Sequence, residues 1–531
     1  MTLLTAKIKK YVFPTAAAAL LLAFFAAFCV INFAGGPRFF DFDMYADTAI
    51  AKLIWEQKTL FPSGWAFGNQ LYTIATPVLA ALFYGITGNL NLAMSLATTL
   101  NTLLMCFAFC WAVRPHTSAS GALAGLLVLV GGIISTNAVT ALHGQLFYVL
   151  CSYYANYMIT LFVIWGWYAR TVSGKRVFGA AFAVSIVLSF LSGIQSVRQL
   201  AVVMLPLASA AAVRFVYIWI KRRAISKTEL IAVSAAAAVV LANLAGILAA
   251  RSLNIPMTSL YGSLEAAQPN LAQAIAENKE ALIVITGLQY LAKNRTGIFL
   301  TVFAAMIIAV VCAFPVLHIK ARASGRFSDG MLICAALGFV SLFGMLFANL
   351  FLDMALRPIY LFPWYALAAF SFAGIAPRLR PRILRCGLFV LCVFCACNLY
   401  IGYAKPAAEA LSQDDSAEKQ TAAWIADTGY DYIYGDARHI RKIAAYTNGA
   451  AAAGAWFSAP LLVMDYINRQ DIYSEDDNKA AIYVFTVQNL EQVQLIAREK
   501  GAELHFERAF GDYLCYTSSE QLMTFEKSPA S

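Results

Sequence analysis

Three aspartates within seven residues, Asp41, Asp43 and Asp47 in DFDMYADTAIAKLIW, are the sharpest chemical signal in this chain. An aspartate at the centre of a helix in lipid costs about 2.5–3.5 kcal/mol, so the trio belongs at a wet interface. One chemistry open to them is helix capping, in which Asp41 or Asp43 accepts from the first free N–H groups and Asp47 is an ordinary first-turn acid. The other is general-base catalysis, a carboxylate held at the membrane edge to take a proton from a nucleophile. Spacing alone leaves both open.

Further candidates are scattered along the chain. His143 in LHGQLFYV is a potential base or ligand, although a lone interfacial histidine is more often a packing residue. Tyr148, Tyr153, Tyr154 and Tyr157 form an aromatic series that reads as a membrane-interface belt, and sugars also stack on such rings. Arg198, in LSGIQSVRQLAVVMLPL, either snorkels to head groups or meets a phosphate. Arg357 and Tyr360 stand in RPIYLFPWY, and Asn294-Arg295-Thr296 matches a glycosylation sequon, a motif with many false positives. No phosphate-loop, dinucleotide or HExxH pattern is present, so no nucleotide, cofactor or metal is expected. Most of the eleven cysteines lie in or beside apolar runs, where packing is the expected role.

The elements that must position these groups are mostly membrane spans. Hydrophobic residues make up 60% of the 531 and charged residues 13%, about half the charge of a soluble domain. Apolar runs are long enough to cross ~30 Å of hydrocarbon. The net charge of +10 divides by region, with 28 Lys/Arg against 10 Asp/Glu in residues 1–403 and 11 against 19 in residues 404–531. A basic membrane part followed by an acidic tail is no nucleic-acid footprint.

Eleven spans are predicted, at about 11–34, 92–113, 119–139, 153–168, 177–191, 197–220, 229–250, 297–318, 331–351, 360–376 and 387–403, with a helix break at Ser192-Gly193. The first follows Lys7, Lys9 and Lys10 and is too long for a signal peptide. Basic residues then favour one side by 19 to 9 and acidic residues the other by 8 to 2, which by the positive-inside rule puts the N-terminus in the cytoplasm and the tail outside. That count requires the apolar stretch 72–88 to be re-entrant or interfacial. The first outer loop, 35–91, then carries the acidic motif on an amphipathic helix, roughly Met44 to Lys58, whose Ile50, Leu53, Ile54 and Trp55 are expected to lie on the membrane surface.

Residues 404–531 have a different pattern. YDYIY reads as a strand, DARHIRKIAAYT as a helix, AAIYVFTV as a buried strand, NLEQVQLIAREKG as a helix stopped by glycine, and AELHFERAFGDYLCYT as strands. The alternation predicts a small α/β domain. His439 and His505 fall in different elements and read as structural or surface residues. The expected fold is thus a polytopic α-helical membrane domain, 1–403, with a small extracytoplasmic α/β domain, 404–531.

The stretch from DFDMYADTAIAKLIW through LFPSGW to an apolar helix ending in glycine resembles the first outer loop of the C-type, multi-span glycosyltransferases. It is most similar to the bacterial relatives of protein mannosyltransferases and of aminoarabinose transferase (glycosyltransferase family 39-like). Registered on Tyr45, the family's leading acid falls on Asp41 and its second on Phe42, with Asp43 the near substitute, so the implied catalytic residue is Asp41 or Asp43. The resemblance also implies substrate-binding roles for Tyr45, Asp47, Arg198, Arg357 and Tyr360, with His143 a further candidate. It implies an inverting enzyme of the bacterial cytoplasmic membrane that moves a sugar from a polyprenyl-phosphate donor to an extracytoplasmic glycan, lipid or protein acceptor. The partners would be that donor, the bilayer and the acceptor, with no nucleic acid. A WWD motif is absent, which argues against transfer to protein asparagine. A polysaccharide polymerase or ligase, or a lipid-linked glycan flippase or transporter, is the alternative. Its marks would be a large late loop with Arg/His residues, or internal repeats with charges buried mid-span. The charge asymmetry makes one direct prediction. Reporters fused after Gly88 and after Tyr403 should read as extracytoplasmic and those after Arg114 and Arg223 as cytoplasmic; a cytoplasmic signal from the tail would reverse the assignment.

Overall fold

The computed structural model describes residues 2–40, 42–133, 154–174, 176–223, 226–255, 271–288, 295–322, 329–351, 356–379, 381–457, 459–464 and 467–525. Helices run α1 Thr2–Val30, α2 Phe42–Gln57, α3 Thr76–Thr87, α4 Leu90–Val113 and α5 Ala119–Gly131, with the short strand β1, Trp65–Ala66, after α2. There follow α6 Ala155–Val172, α7 Ala180–Gln195, α8 Leu205–Arg222, α9 Lys227–Ser252 and α10 Leu271–Thr286. Then come α11 Arg295–Arg322, α12 Gly330–Phe351, α13 Pro363–Ile375, α14 Pro381–Leu399 and α15 Lys405–Leu411. The chain forms two compact units, one from Met1–Cys29, Leu100–Leu253 and Tyr261–Ala408, the other from Val30–Thr99, Asn254–Leu260 and Glu409–Ser531.

In the first unit the helices are apolar and long. Among the described residues eight segments of the chain can cross a bilayer, on α1, α4, α8, α9, α11, α12, α13 and α14, so the protein is a multi-pass membrane protein. Three of the eleven predicted spans fall instead on helices that do not qualify. α5 has 13 residues and α7 has 16. α6 reaches 18, but its Asn156, paired tryptophans and Arg170 lower its hydropathy, and most of its side chains are buried among neighbours. The predicted break at Ser192-Gly193 is also displaced. α7 continues to Gln195, and Gly193 serves a close helix crossing, since a Cβ there would lie 2.1 Å from the Asn243 carbonyl oxygen of α9. Gly246 makes the reciprocal approach, with Phe190 O at 2.1 Å from its virtual Cβ. Asn243 Nδ2 donates to Ser189 O at 2.9 Å and Ser189 Oγ to Val239 O at 2.6 Å, satisfying buried polar groups across the seam.

The second unit is an α/β domain built on a five-stranded sheet. β2 Tyr432–Asp436 lies between β3 Ala452–Trp456 and β5 Ala481–Thr486, parallel to both; β7 Tyr513–Ser518 pairs antiparallel with β5 and then with β6 Leu504–Phe510. A separate two-residue strand, β4, is Asn468–Arg469. Helices α16 Ala417–Thr428, α17 Ala437–Tyr446, α18 Glu475–Lys479 and α19 Val487–Glu499 complete the domain. Its predicted strands and helices fall where expected, with the first strand two residues later. β3, in the alanine-rich AAAGAWF, was not anticipated because alanine and glycine are poor strand formers.

Residues 30–99 pack within this same unit. β1 pairs antiparallel with β4, Trp65 opposite Arg469. Lys52 Nζ donates to Gly449 O at 2.6 Å, Asn91 Nδ2 to Ala445 O at 2.9 Å and Arg38 to Glu409 O at 2.7 Å. The apolar side of α2 is accordingly covered by protein rather than lipid. Ile50 is 0% exposed, Leu53 4% and Ile54 7%, against α3 and α17, and each such side chain contributes about 1.5–3 kcal/mol. Trp55, which lies over Gly85 of α3, is the least buried of the expected membrane-facing set. α3 itself has 12 residues, a rise of about 18 Å, short of the ~30 Å of hydrocarbon.

Removing residues 409–531 would strip these partners from the first loop while leaving the apolar spans intact. Such a chain is expected to insert in the membrane, yet to be cut by protease between residues 40 and 90 under conditions where the full chain is resistant. Equal resistance would show that the loop does not depend on the domain.

Candidate active site

The residues singled out in the sequence fall into two groups, one in each unit, while Asp41, His143, Tyr148, Tyr153 and Asn294 lie outside the described residues. In the second unit Asp43 occupies the first turn of α2, where a carboxylate meets the free N–H groups and the positive end of the helix dipole. Asp47 follows one turn later. It is 1% exposed, so the wet surface expected for the whole acidic trio holds for Asp43 alone of the two described acids. Tyr45 is 8% exposed and donates its hydroxyl to Pro37 O at 2.6 Å. Its ring lies 5.9 Å from that of Phe40. Tyr45 thereby ties α2 to the 3-10 turn Gly36–Phe39 and sets the angle at which the acidic segment enters the helix.

The sequence reading missed what faces the acids. Tyr72, buried in the loop before α3, sits against Asp47. Burial raises the pKa of its hydroxyl well above the usual value, and the Asp47 and then the Asp43 carboxylates push in the same direction. The phenol therefore stays protonated at neutral pH, facing a buried carboxylate. Arg441 of α17 is 5% exposed, with its guanidinium carbon 4.4 Å from the Phe42 ring centroid. Phe42 also meets Phe457 at 5.9 Å. The residue between Asp41 and Asp43 is thus clamped by a cation and an aromatic ring from the C-terminal domain. Beside Tyr45, the two surfaces leave a cavity of about 50 Å³ with Ala46, Ala49, Ala444 and Ala445 among its walls. That is room for roughly three to five waters, at about 10–15 Å³ each.

In the first unit Arg198 stands between α7 and the π-helical turn Leu200–Met204. Its guanidinium carbon is 4.7 Å from the Tyr360 ring and 5.7 Å from those of both Tyr154 and Tyr157. Phe362 closes on Tyr154 at 5.4 Å and on Tyr157 at 6.0 Å. Tyr154 and Tyr157 are 3% and 0% exposed, so they wall an arginine rather than form the outward belt expected of them. Arg357 is exposed and extended (φ −87°, ψ 143°) at the start of the 3-10 turn Pro358–Leu361. Tyr360 N–H donates back to Arg357 O at 2.9 Å, which joins the second arginine to the ring over the first.

No protein-family model matches the chain, and no curated protein matches it by sequence. A solved structure does match, that of ArnT from Cupriavidus metallidurans bound to undecaprenyl phosphate, with a TM-score of 0.56 at 11% identity over 96% of this chain and 98% of that one. The chain has the ArnT fold. At 11% identity, side-chain correspondence does not follow from the fold. The near-complete coverage takes in both the apolar helices and the C-terminal domain, so the fold match extends over nearly the whole chain.

Within this ArnT-like frame the tail histidines do no visible chemistry. His439 Nδ1 and the Tyr513 hydroxyl are 2.9 Å apart, and burial lowers the histidine pKa, leaving it neutral. His505 is 62% exposed on its side chain, 4.0 Å from Glu503. The Tyr72–Asp47 contact is the better test of site architecture. Tyr72→Phe removes the hydroxyl that faces a buried carboxylate and is expected to cost about 1–3 kcal/mol, read as a lower unfolding temperature of the detergent-solubilised protein. An unchanged melting curve would mean that Asp47 is not held through this hydroxyl.

Proposed function

We propose that the protein is a membrane glycosyltransferase that moves a sugar from a polyprenyl-phosphate donor to an extracytoplasmic acceptor with inversion at the anomeric carbon. One observation carries this reading: the fold is shared over 96% of the chain with ArnT, a protein solved with undecaprenyl phosphate bound. We assign the two chemical functions such a transfer needs, a base and cations for the phosphate, to the acidic segment at the start of α2 and to the arginine held among tyrosines.

In this scheme Asp41 or Asp43 removes the proton from the acceptor hydroxyl or amine as its oxygen or nitrogen attacks the anomeric carbon. The bond from that carbon to the phosphate oxygen breaks, and the electron pair leaves with the lipid phosphate. A single displacement inverts the configuration. Arg198 and Arg357 offset the charge gathering on the departing phosphate, and fixed cations are worth most where water is excluded. Tyr72, through Asp47, and Arg441, through Phe42, hold the acidic segment in position.

Replacing an acid by asparagine keeps its size and most of its capping ability while removing the base. One of the variants Asp41→Asn and Asp43→Asn should reach wild-type levels and lose transfer by about 10²–10⁴-fold, whereas a pure cap would cost only a few tenths to about 1 kcal/mol of local stability. Arg198→Gln and Arg357→Gln should weaken use of the lipid donor without disturbing the fold. Full transfer by the Asp41→Asn/Asp43→Asn double variant, in membranes supplied with lipid-linked sugar, would overturn the mechanism.

A further inference from the structure

One carboxylate outside the acidic motif is built into the arginine group of the first unit. Glu277 lies on α10, the helix after the seventh predicted span. Three donors converge on it. Gln273 Nε2 donates to Oε1 at 3.0 Å, Asn349 Nδ2 at the end of α12 donates to Oε2 at 3.1 Å, and the backbone N–H of Leu356 donates as well. Asn349 is 4% exposed and Leu356 9%. The next residue on α10, Asn278, donates its Nδ2 to Leu346 O at 3.0 Å. The buried side of α10, including Ala274, Ala281 and Val284, packs on α12 and on the turn Pro358–Leu361. Glu277 therefore grips the chain at the residue before Arg357, and the same short segment ends in the Tyr360 ring that covers Arg198 at 4.7 Å.

We propose that Glu277 is a positioning residue for lipid-phosphate recognition, holding the Leu356–Tyr360 segment so that Arg357 and the ring over Arg198 keep one geometry. The inference rests on the donor-phosphate role given above to the two arginines. All three partners of Glu277 are donors, so the site requires an ionised carboxylate. The hydrogen bonds from Gln273 and Asn349 lower its pKa accordingly. Glutamine offers a single acceptor oxygen and would turn an N–H₂ toward another donor, so Glu277→Gln should fall between wild type and Glu277→Ala.

The test uses the full chain in lipid nanodiscs, with polyprenyl phosphate as the probe for equilibrium binding and a lipid-linked sugar for turnover. Glu277→Ala is expected to weaken polyprenyl-phosphate binding and raise the donor KM by about tenfold, the order that follows from misplacing a binding group by a fraction of an ångström. kcat should fall as well, because Arg357 also offsets the charge on the departing phosphate, while the acceptor KM should stay at its wild-type value and Glu280→Gln, an exposed change on the same helix, should alter nothing. A lower melting temperature with unchanged donor binding would overturn the positioning role, since a merely structural contact would behave that way. Normal binding by Glu277→Ala alongside weakened binding by Arg357→Gln would sink this inference alone. Normal binding by Arg198→Gln and Arg357→Gln would remove the donor-phosphate reading and this inference with it.

Discussion

The second unit is organised around one helix that must bury charge on one side and hydrocarbon on the other without the help of lipid. α2 carries Asp43 and Asp47 one turn apart, with Ile50, Leu53 and Ile54 further along. Asp47 at 1% exposure has lost nearly all its water, and the desolvation cost of an isolated carboxylate would push it toward the neutral form. The buried Tyr72 phenol is one of the groups that face it there. The C-terminal domain supplies the remaining cover. α17 buries the apolar face, β4 pairs with β1, and Arg441 lies over Phe42. The acidic segment is held by the C-terminal domain, which explains why a soluble-looking α/β domain clusters with the first loop rather than standing apart as an appended module.

Much of this was legible in the sequence because periodicity and charge are local properties. The apolar runs, the short helix at 72–88 and the sheet and helix pattern of the tail all follow from residue order within windows of ten to twenty. The errors share one cause, that coverage by distant chain cannot be read locally. Ile50, Leu53 and Ile54 form an amphipathic stripe that fits a bilayer surface as well as it fits α17. Tyr154 and Tyr157 have the spacing of an interface belt and also of two walls around an arginine. Gly193 breaks many helices, yet here it is retained inside one because Asn243 approaches too closely for any side chain. Arg441 and Tyr72 gave no signal at all. A lone arginine in an amphipathic helix and a lone tyrosine in a loop look like solvated residues until the partner segment, hundreds of residues away for Arg441, is brought alongside.

The arginine group obeys a different electrostatic logic from the acids. Tyrosine faces attract a guanidinium through their quadrupole. Three rings at 4.7, 5.7 and 5.7 Å therefore restrict where the Arg198 cation sits. An anion of the lipid-phosphate kind would meet a charge whose rotamer entropy has already been lost, and preorganisation of this sort lowers the cost of binding. The arrangement is only as good as the segment that carries the third ring. Tyr360 belongs to a one-turn helix following an extended residue, a structure with too few internal hydrogen bonds to hold itself. Its rigidity has to come from neighbours, and the acceptor-only carboxylate of Glu277, bonded to the chain at Leu356, is placed where that rigidity is needed.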